Sequence, residues 1–280
     1  GWCVRVLVIV SRETACGGGG SGYTSDGAAG IIDGVATKGP LSNATVKAYG
    51  IANGQTGAEI GSAMTDSNGN YSMTIAAYAG PVMLRVSGGS YTDEATGLTV
   101  TMASGDVMTA VMQSVGPGAT ISGIQITPIT SMAQARAQQM QGGMTDSNIA
   151  AANQALCDYF LVRDILHVAP MNPRVPGSGV GASADARNYG MALAAMSQYA
   201  YSLNLANPSA LVTAMMSDAS DGMMDGQGPG GQIRMSMDGM RAGTTMMPST
   251  GGRSALATAR TNCLQNTSSA NMSGPPAPEP

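Results

Sequence analysis

Charge is what this chain has least of. Asp, Glu, Lys and Arg make up 11% of its 280 residues, against roughly 25% in an ordinary soluble domain. The net charge is −4, and no stretch gathers Lys or Arg into a cluster. Nucleic acid needs a basic footprint and an anionic membrane surface needs a polybasic segment, so both are excluded as partners. Aromatic residues are as scarce, at 4% with one Trp and one Phe. Histidine occurs once, at His167, so any Ser-His-Asp or Cys-His catalytic arrangement would have to use that ring. There is no G-x-S-x-G ahead of a helix and no phosphate loop ending in Lys-Ser/Thr. No run reaches the ~18–20 apolar residues of a spanning helix. What is abundant is Gly (39) and Met (22). Few charges and many small residues fit an extracellular or cell-envelope protein of short strands and loops.

The first half reads as strand and turn around Thr65-Asp66-Ser67-Asn68-Gly69-Asn70-Tyr71. Asn68-Gly69 takes positive φ readily and Asp66 can accept from backbone N–H groups two residues on, which predicts a hairpin turn. Tyr71, Met73 and Ile75 then share one face of the returning strand, because side chains alternate. Further strands are predicted at 31–36, 44–50, 60–65, 81–87, 98–102, 107–112 and 121–127. The pair 98–102 and 107–112 is expected as a hairpin, and 53–57 as a loop. Short strands at this spacing predict a β-sandwich.

The run G-V-A-T-K-G-P-L-S-N-A-T-V-K-A-Y, followed about twenty residues later by T-D-S-N-G-N-Y-S-M, resembles the carboxypeptidase-regulatory-like domain. Gly34, Pro40, Ala44, Val46, Thr65, Asp66, Gly69 and Tyr71 carry the resemblance. It implies a transthyretin-like, Ig-like antiparallel sandwich acting as a non-catalytic accessory module of a secreted or surface protein.

Pro128 marks a change of style. Ala/Gln-rich helix is predicted over 129–140. A second helix is capped by Thr145 or Asp146, with Ile149, Ala152, Leu156 and Phe160 on one face. A third spans 185–203, and a fourth opens at Asn207-Pro208. A final helix over 253–265 carries Cys263. The expected architecture is therefore α+β multidomain. Residues 1–22 form a signal-like segment and tether, 23–127 the sandwich, 128–267 a mostly helical domain, and 268–280 a Pro-rich tail.

At the start, an apolar run Val4–Val10 leads to Cys16 and then to Gly17-Gly18-Gly19-Gly20-Ser21-Gly22. This resembles the end of a bacterial lipoprotein signal peptide and implies export with lipidation at Cys16. With Cys3 in the signal and Cys16 at the anchor, Cys157 and Cys263 are left over. In an oxidising compartment such a pair is most simply a disulfide.

Candidate sites are few. Asp218, Asp221 and Asp225 lie within eight residues among glycines and could hold Ca²⁺, which wants six to eight oxygens. The other reading is a helix end where each Asp bonds to nearby backbone. Paired methionines at 215–216, 223–224 and 246–247, with Met235, Met237 and Met240, suit Cu(I) or simply fill cores short of aromatics. His167 reads as the end of a packed helix. No catalytic residue or organic cofactor is expected. The function expected is surface display, adhesion or assembly into an extracellular filament, through self-association or binding of other surface proteins or glycans, with membrane contact only through the lipid anchor. Assembly would use an extended segment such as 24–32 to pair with a neighbour's sheet edge. The alternative is an envelope solute- or metal-binding protein using the helical domain.

Overall fold

A computed structural model describes residues 27–205 and 207–235, with a short strand at 245–246. Strand β1 (Gly30–Ala36) is the middle of a three-stranded sheet, between β4 (Asn70–Ile75) and β9 (Thr120–Ile126). The second sheet has four strands: β2 (Thr45–Ala52), β3 (Gln55–Met64), β5 (Gly80–Ser87) and β8 (Val107–Val115), in the order β3-β2-β5-β8. A separate ribbon pairs β6 (Ser90–Thr92) with β7 (Thr99–Thr101).

The two main sheets share one core, because each strand turns alternate residues inward. Tyr71, Met73 and Ile75 of β4 are buried as predicted, and meet Ile32, Val46, Leu84, Val86, Ile124 and Ile126. Fully burying an aliphatic side chain of this size stabilises by roughly 1.5–3 kcal/mol. Methionines 73, 108 and 112 fill the space that aromatics would occupy elsewhere.

Four strand expectations are corrected. First, Asn53-Gly54 is itself a tight two-residue turn, with φ of 53° and 73°, so β3 begins at Gln55 where a loop was expected. Second, the 65–71 turn does not close a hairpin: β3 ends in the four-stranded sheet and β4 begins in the other. The turn is a corner between sheets. Its local chemistry is as read, since Asp66 Oδ1 accepts from Asn68 N–H (2.8 Å) and Asn70 N–H (2.9 Å). Those bonds, led by the Asn70 side chain, hold the Asp66 carboxyl below its ordinary value. Gly69 sits at φ +81°, packed against the Ala36 carbonyl, where a side chain would not fit. Third, β7 pairs with β6, and β8 pairs with β5, so 98–102 and 107–112 are not a hairpin. Fourth, the sandwich is not wholly antiparallel, because β1 and β9 run parallel. That pairing joins distant ends of the domain and has the long connection a parallel pair requires. Gly34 allows the close approach: a Cβ there would run into the Ile124 carbonyl. The 30–32 part of the segment expected to pair with a neighbour is in β1, bonded on both sides within this chain.

Helix α1 (Pro128–Gln139) follows β9 directly. Thr127 caps it with a capping box, its side chain accepting from Thr130 N–H while Thr130 accepts from Thr127 N–H. Helix α2 (Asp146–Phe160) is capped by Thr145, and α3 (Ala184–Ser202) by Ser183. Helix α4 (Ser209–Ser220) starts after Asn207-Pro208. Two short ribbons follow, β10 (Gln227–Gly228) with β11 (Gly231–Gln232), and β12 (Arg234–Met235) with β13 (Thr245–Met246).

The helices pack directly on the sandwich. Ile51, Met83 and Val111, on the outer face of the four-stranded sheet, meet Ala137, Met144, Ile149 and Ala152 of the α1–α2 region. Side chains of α1 and α2 also close the free edge of β8. Thr109 N–H donates to Ser131 Oγ (2.8 Å), Asn153 Nδ2 donates to the Val111 carbonyl (3.2 Å), and Ser114 N–H donates to Asp146 Oδ1 (2.7 Å). An edge covered in this way offers no template to another chain. Helix α3 is buried on almost every side. Its Tyr189 hydroxyl lies between Thr127 Oγ1 (2.7 Å) and the Ile165 carbonyl (2.9 Å), and burial pushes its pKa up. Val212 of α4 reaches into the sandwich core. Among the described residues no helix is long and apolar enough to cross a membrane.

Candidate binding cleft

The three aspartates singled out by sequence are not brought together. Asp218 Oδ1 accepts from Asp225 N–H (3.0 Å) and Gly226 N–H (2.8 Å). Asp221 accepts from Met223 N–H (3.0 Å), and Asp225 from Gln227 N–H (2.9 Å). Asp221 and Asp225 each organise their own turn, as Asx residues do, whereas Asp218 reaches the N–H groups seven and eight residues on. Among the described residues no three His, Cys, Asp or Glu gather as a metal site. Asp218 nevertheless stands apart. It is fully buried, its Oδ2 has no partner, and burial pushes its pKa up to about 6.

The remaining sequence candidates separate. Met215 is core and Met224 packs against it, while Met223 is exposed; Met237, Met240 and Met247 lie outside the described residues. His167 is in the loop after α2, not at a helix end, and its Nδ1 lies 2.8 Å from Asp164 Oδ2. Cys157 is buried among the helices, and burial raises its thiol pKa. Cys263, its expected partner, and Cys16 lie outside the described residues.

A different polar group is assembled from three distant segments. Lys38, in the turn after β1, is buried with its ammonium against Ser197 Oγ of α3 (2.8 Å). Ser197 in turn donates to Glu94 Oε2 (2.5 Å). The ammonium also lies 3.8 Å from Asp93 Oδ2, 4.0 Å from Glu94 Oε2 and 4.9 Å from the centre of the Tyr91 ring. Burial alone would lower the Lys38 pKa, but the facing Tyr91, Glu94 and Asp93 together hold it above its ordinary value. For Glu94 burial wins over the attraction of Lys38, and its pKa is raised. A serine beside a lysine resembles a nucleophile beside a base. Here Ser197 is sealed from solvent and spends its proton on Glu94, so the pair is a staple joining α3 to the sandwich.

Glu94 also lines the cleft of interest. A cavity of about 250 Å³ opens where the turn after β1, the 65–71 corner, β9, α3 and the loop 169–173 meet. Its polar lining is Thr37, Asn68, Asn70, Glu94, Gln125 and Asn172, and its apolar walls include Val35, Pro40, Pro170, Met171 and Leu193. The walls are held firmly. Met171 N–H donates to the Ala186 carbonyl (2.9 Å), and Gly190 leaves room for the Met171 carbonyl against α3. Gln125 is anchored by its own N–H to the Leu166 carbonyl (2.8 Å) and by Nε2 to the Gly123 carbonyl (3.0 Å). Its Oε1 is buried without a partner.

Sequence reading missed Lys38, Asp93, Glu94, Gln125 and Ser197. One signal was available: Asp93-Glu94 are adjacent carboxylates in a chain with only 17 acidic residues, and they were absorbed into a loop.

No family model and no curated protein matches this chain. Among solved structures, a 9R-lipoxygenase from Cyanothece PCC8801 is matched at 16% identity and a TM-score of 0.22, over 35% of this chain and 16% of that one. Similarity that slight carries no argument about fold or activity.

Proposed function

We propose that this is a non-catalytic, exported recognition protein of the bacterial envelope or extracellular space. In this reading its sandwich is of the carboxypeptidase-regulatory-like kind, its chain is lipid-anchored through Cys16, and its work is adhesion or surface display. The observation that carries the recognition part is the cleft beside Glu94 and Gln125. A concave site with apolar walls and a few convergent polar groups is the form small-ligand sites take, and Met171 and Gln125 in its lining are tied to neighbouring backbone. The composition, poor in charge and rich in Gly, supports the extracellular setting. The sealed Ser197 favours binding over acyl transfer by that residue.

Asn68 provides the test. It is exposed at the mouth of the cleft, so Asn68→Trp should fill the opening without touching the core. The full chain is assayed on arrays of glycans and extracellular peptides, and binding is compared with the variant. Binding that falls by at least about tenfold at unchanged thermal stability supports the reading. Undiminished binding by the variant, or no binding by the parent chain, overturns it. Palmitate labelling in a bacterial host, lost on Cys16→Ala, is the expected result for the anchor.

A further inference from the structure

We propose that the cleft accepts a cationic group, an alkylammonium or guanidinium, with Glu94 as its counter-ion and Gln125 Oε1 as a second acceptor. This rests on the reading of the cleft as a binding site and names the ligand chemistry.

The first argument is charge. Lys38 is one cation facing two carboxylates, Asp93 and Glu94, all three nearly without solvent contact. Buried charges are tolerated when paired, and with both carboxylates ionised one negative charge is left over. The other cation nearby, Arg174, is directed elsewhere: its Nη1 donates to the main-chain carbonyl of Glu94 at 3.4 Å. Of the two carboxylates, Asp93 is turned inward, with Oδ1 accepting from Ala95 N–H, Thr96 N–H and Thr96 Oγ1. Glu94 is the one that borders the cleft. A cation entering there would bring the group to two charges of each sign.

The second argument is the orphaned acceptor. Gln125 is 3% exposed and lines the same cavity, yet its Oε1 has no partner. Exchanging the amide oxygen and nitrogen would not mend this, since it would set the oxygen against the Gly123 carbonyl that Nε2 now satisfies. A buried acceptor left unmade is costly, so a donor is the expected occupant of that position. Gln125 Oε1 and the Glu94 carboxylate are acceptors that a donating ligand would satisfy.

The third argument is size and wall chemistry. About 250 Å³ holds a side-chain-sized group. Pro40, Pro170, Met171 and Leu193 offer an apolar wall to the methylenes that carry an ammonium or guanidinium. The chemistry is shared by free diamines and by Lys or Arg side chains of a polypeptide, and the experiment separates them.

The full chain is titrated by calorimetry and by amide NMR with 1,4-diaminobutane, the blocked amides of lysine and arginine, and blocked norleucine as the neutral isostere. At least one cationic probe should bind at least about tenfold more tightly than norleucine, with shifts centred on Glu94, Gln125 and Asn68. Preference for the blocked amino acids over the diamine assigns the cation to a polypeptide, and the reverse order assigns it to a free amine. Glu94→Gln should weaken cation binding about tenfold or more. Should that variant not fold, Gln125→Met serves instead: it removes the unpaired acceptor, should keep the fold, and should also weaken the cation selectively. Norleucine binding as well as lysine, or cation binding unchanged in Gln125→Met, overturns the proposal. If cations leave the cleft unshifted while an array ligand sensitive to Asn68→Trp still binds, the cation assignment fails and the cleft stands. If no ligand shifts the cleft, both fall.

Discussion

Two acidic groups in this protein have opposite histories. Asp218, Asp221 and Asp225 are close in sequence and end up bonded to backbone within eight residues of themselves, not to one shared site. Lys38, Asp93, Glu94 and Ser197 are spread over 160 residues and end up in contact. Closeness along the chain mostly creates bonds to the local backbone, because a short Asp side chain finds the N–H groups two residues on before it finds anything else. Long-range convergence requires layers to pack, and only then are charges withdrawn from water and forced to pair. Removing one partner from the second kind of group therefore costs more than removing one from the first, because it leaves a buried charge unpaired.

That contrast can be broken most forcefully at Lys38. Lys38→Met leaves Asp93 and Glu94 buried without a cation, and should destabilise by about 3–5 kcal/mol in urea unfolding. Adding Glu94→Gln to it should recover part of the loss, since one fewer buried charge is left unpaired. A Lys38→Met variant as stable as the parent would mean that the group is less sealed than its geometry indicates.

Asp218 tests the boundary between the two kinds, because it is local in its bonds yet fully buried. Its folded pKa of about 6 lies above the ordinary 3.8. The folded state therefore takes up its proton more readily than the unfolded chain. This contribution to stability is fully present below about pH 4 and is lost as pH rises through about 6. Asp218→Asn keeps an oxygen for the Asp225 and Gly226 N–H groups and removes the charge. Its stability relative to the parent should rise between pH 4 and pH 7.5, reaching roughly 2–3 kcal/mol at the upper end. A difference independent of pH would show that this carboxyl is solvated.

The smallest effects belong to the less buried members of the sequence-local group, exposed Asp221 and half-buried Asp225. Asp221→Ala and Asp225→Ala each remove one hydrogen bond at a turn and should cost about 0.5–1 kcal/mol. Millimolar Ca²⁺ should leave the melting temperature of the parent unchanged. A Ca²⁺-dependent rise in melting temperature, abolished in either variant, would restore the metal reading and erase the contrast.

The 65–71 corner shows how far sequence reaches. The Asp66 bonds, the positive φ of Gly69 and the inward face of Tyr71, Met73 and Ile75 were all legible, since each depends on residues a few positions apart. The helix cap at Thr145 is local in the same way. The sheet that β4 joins was not legible. A hairpin and a corner use the same turn residues, and what separates them is whether β1 is waiting beside β4. The parallel β1–β9 pair and the covering of β8 by Ser131, Asn153 and Asp146 were out of reach for the same reason.

Local pattern thus determined most of the strands, helices α1 to α4 and the cap at Thr145, because backbone preference, side-chain alternation and capping act over a few residues. Tertiary structure alone decided that the 65–71 turn joins two sheets and borders a cleft, and that Lys38 meets Ser197 across 159 positions. Those outcomes depend on which surfaces bury against each other, and burial is a property of the whole packed chain.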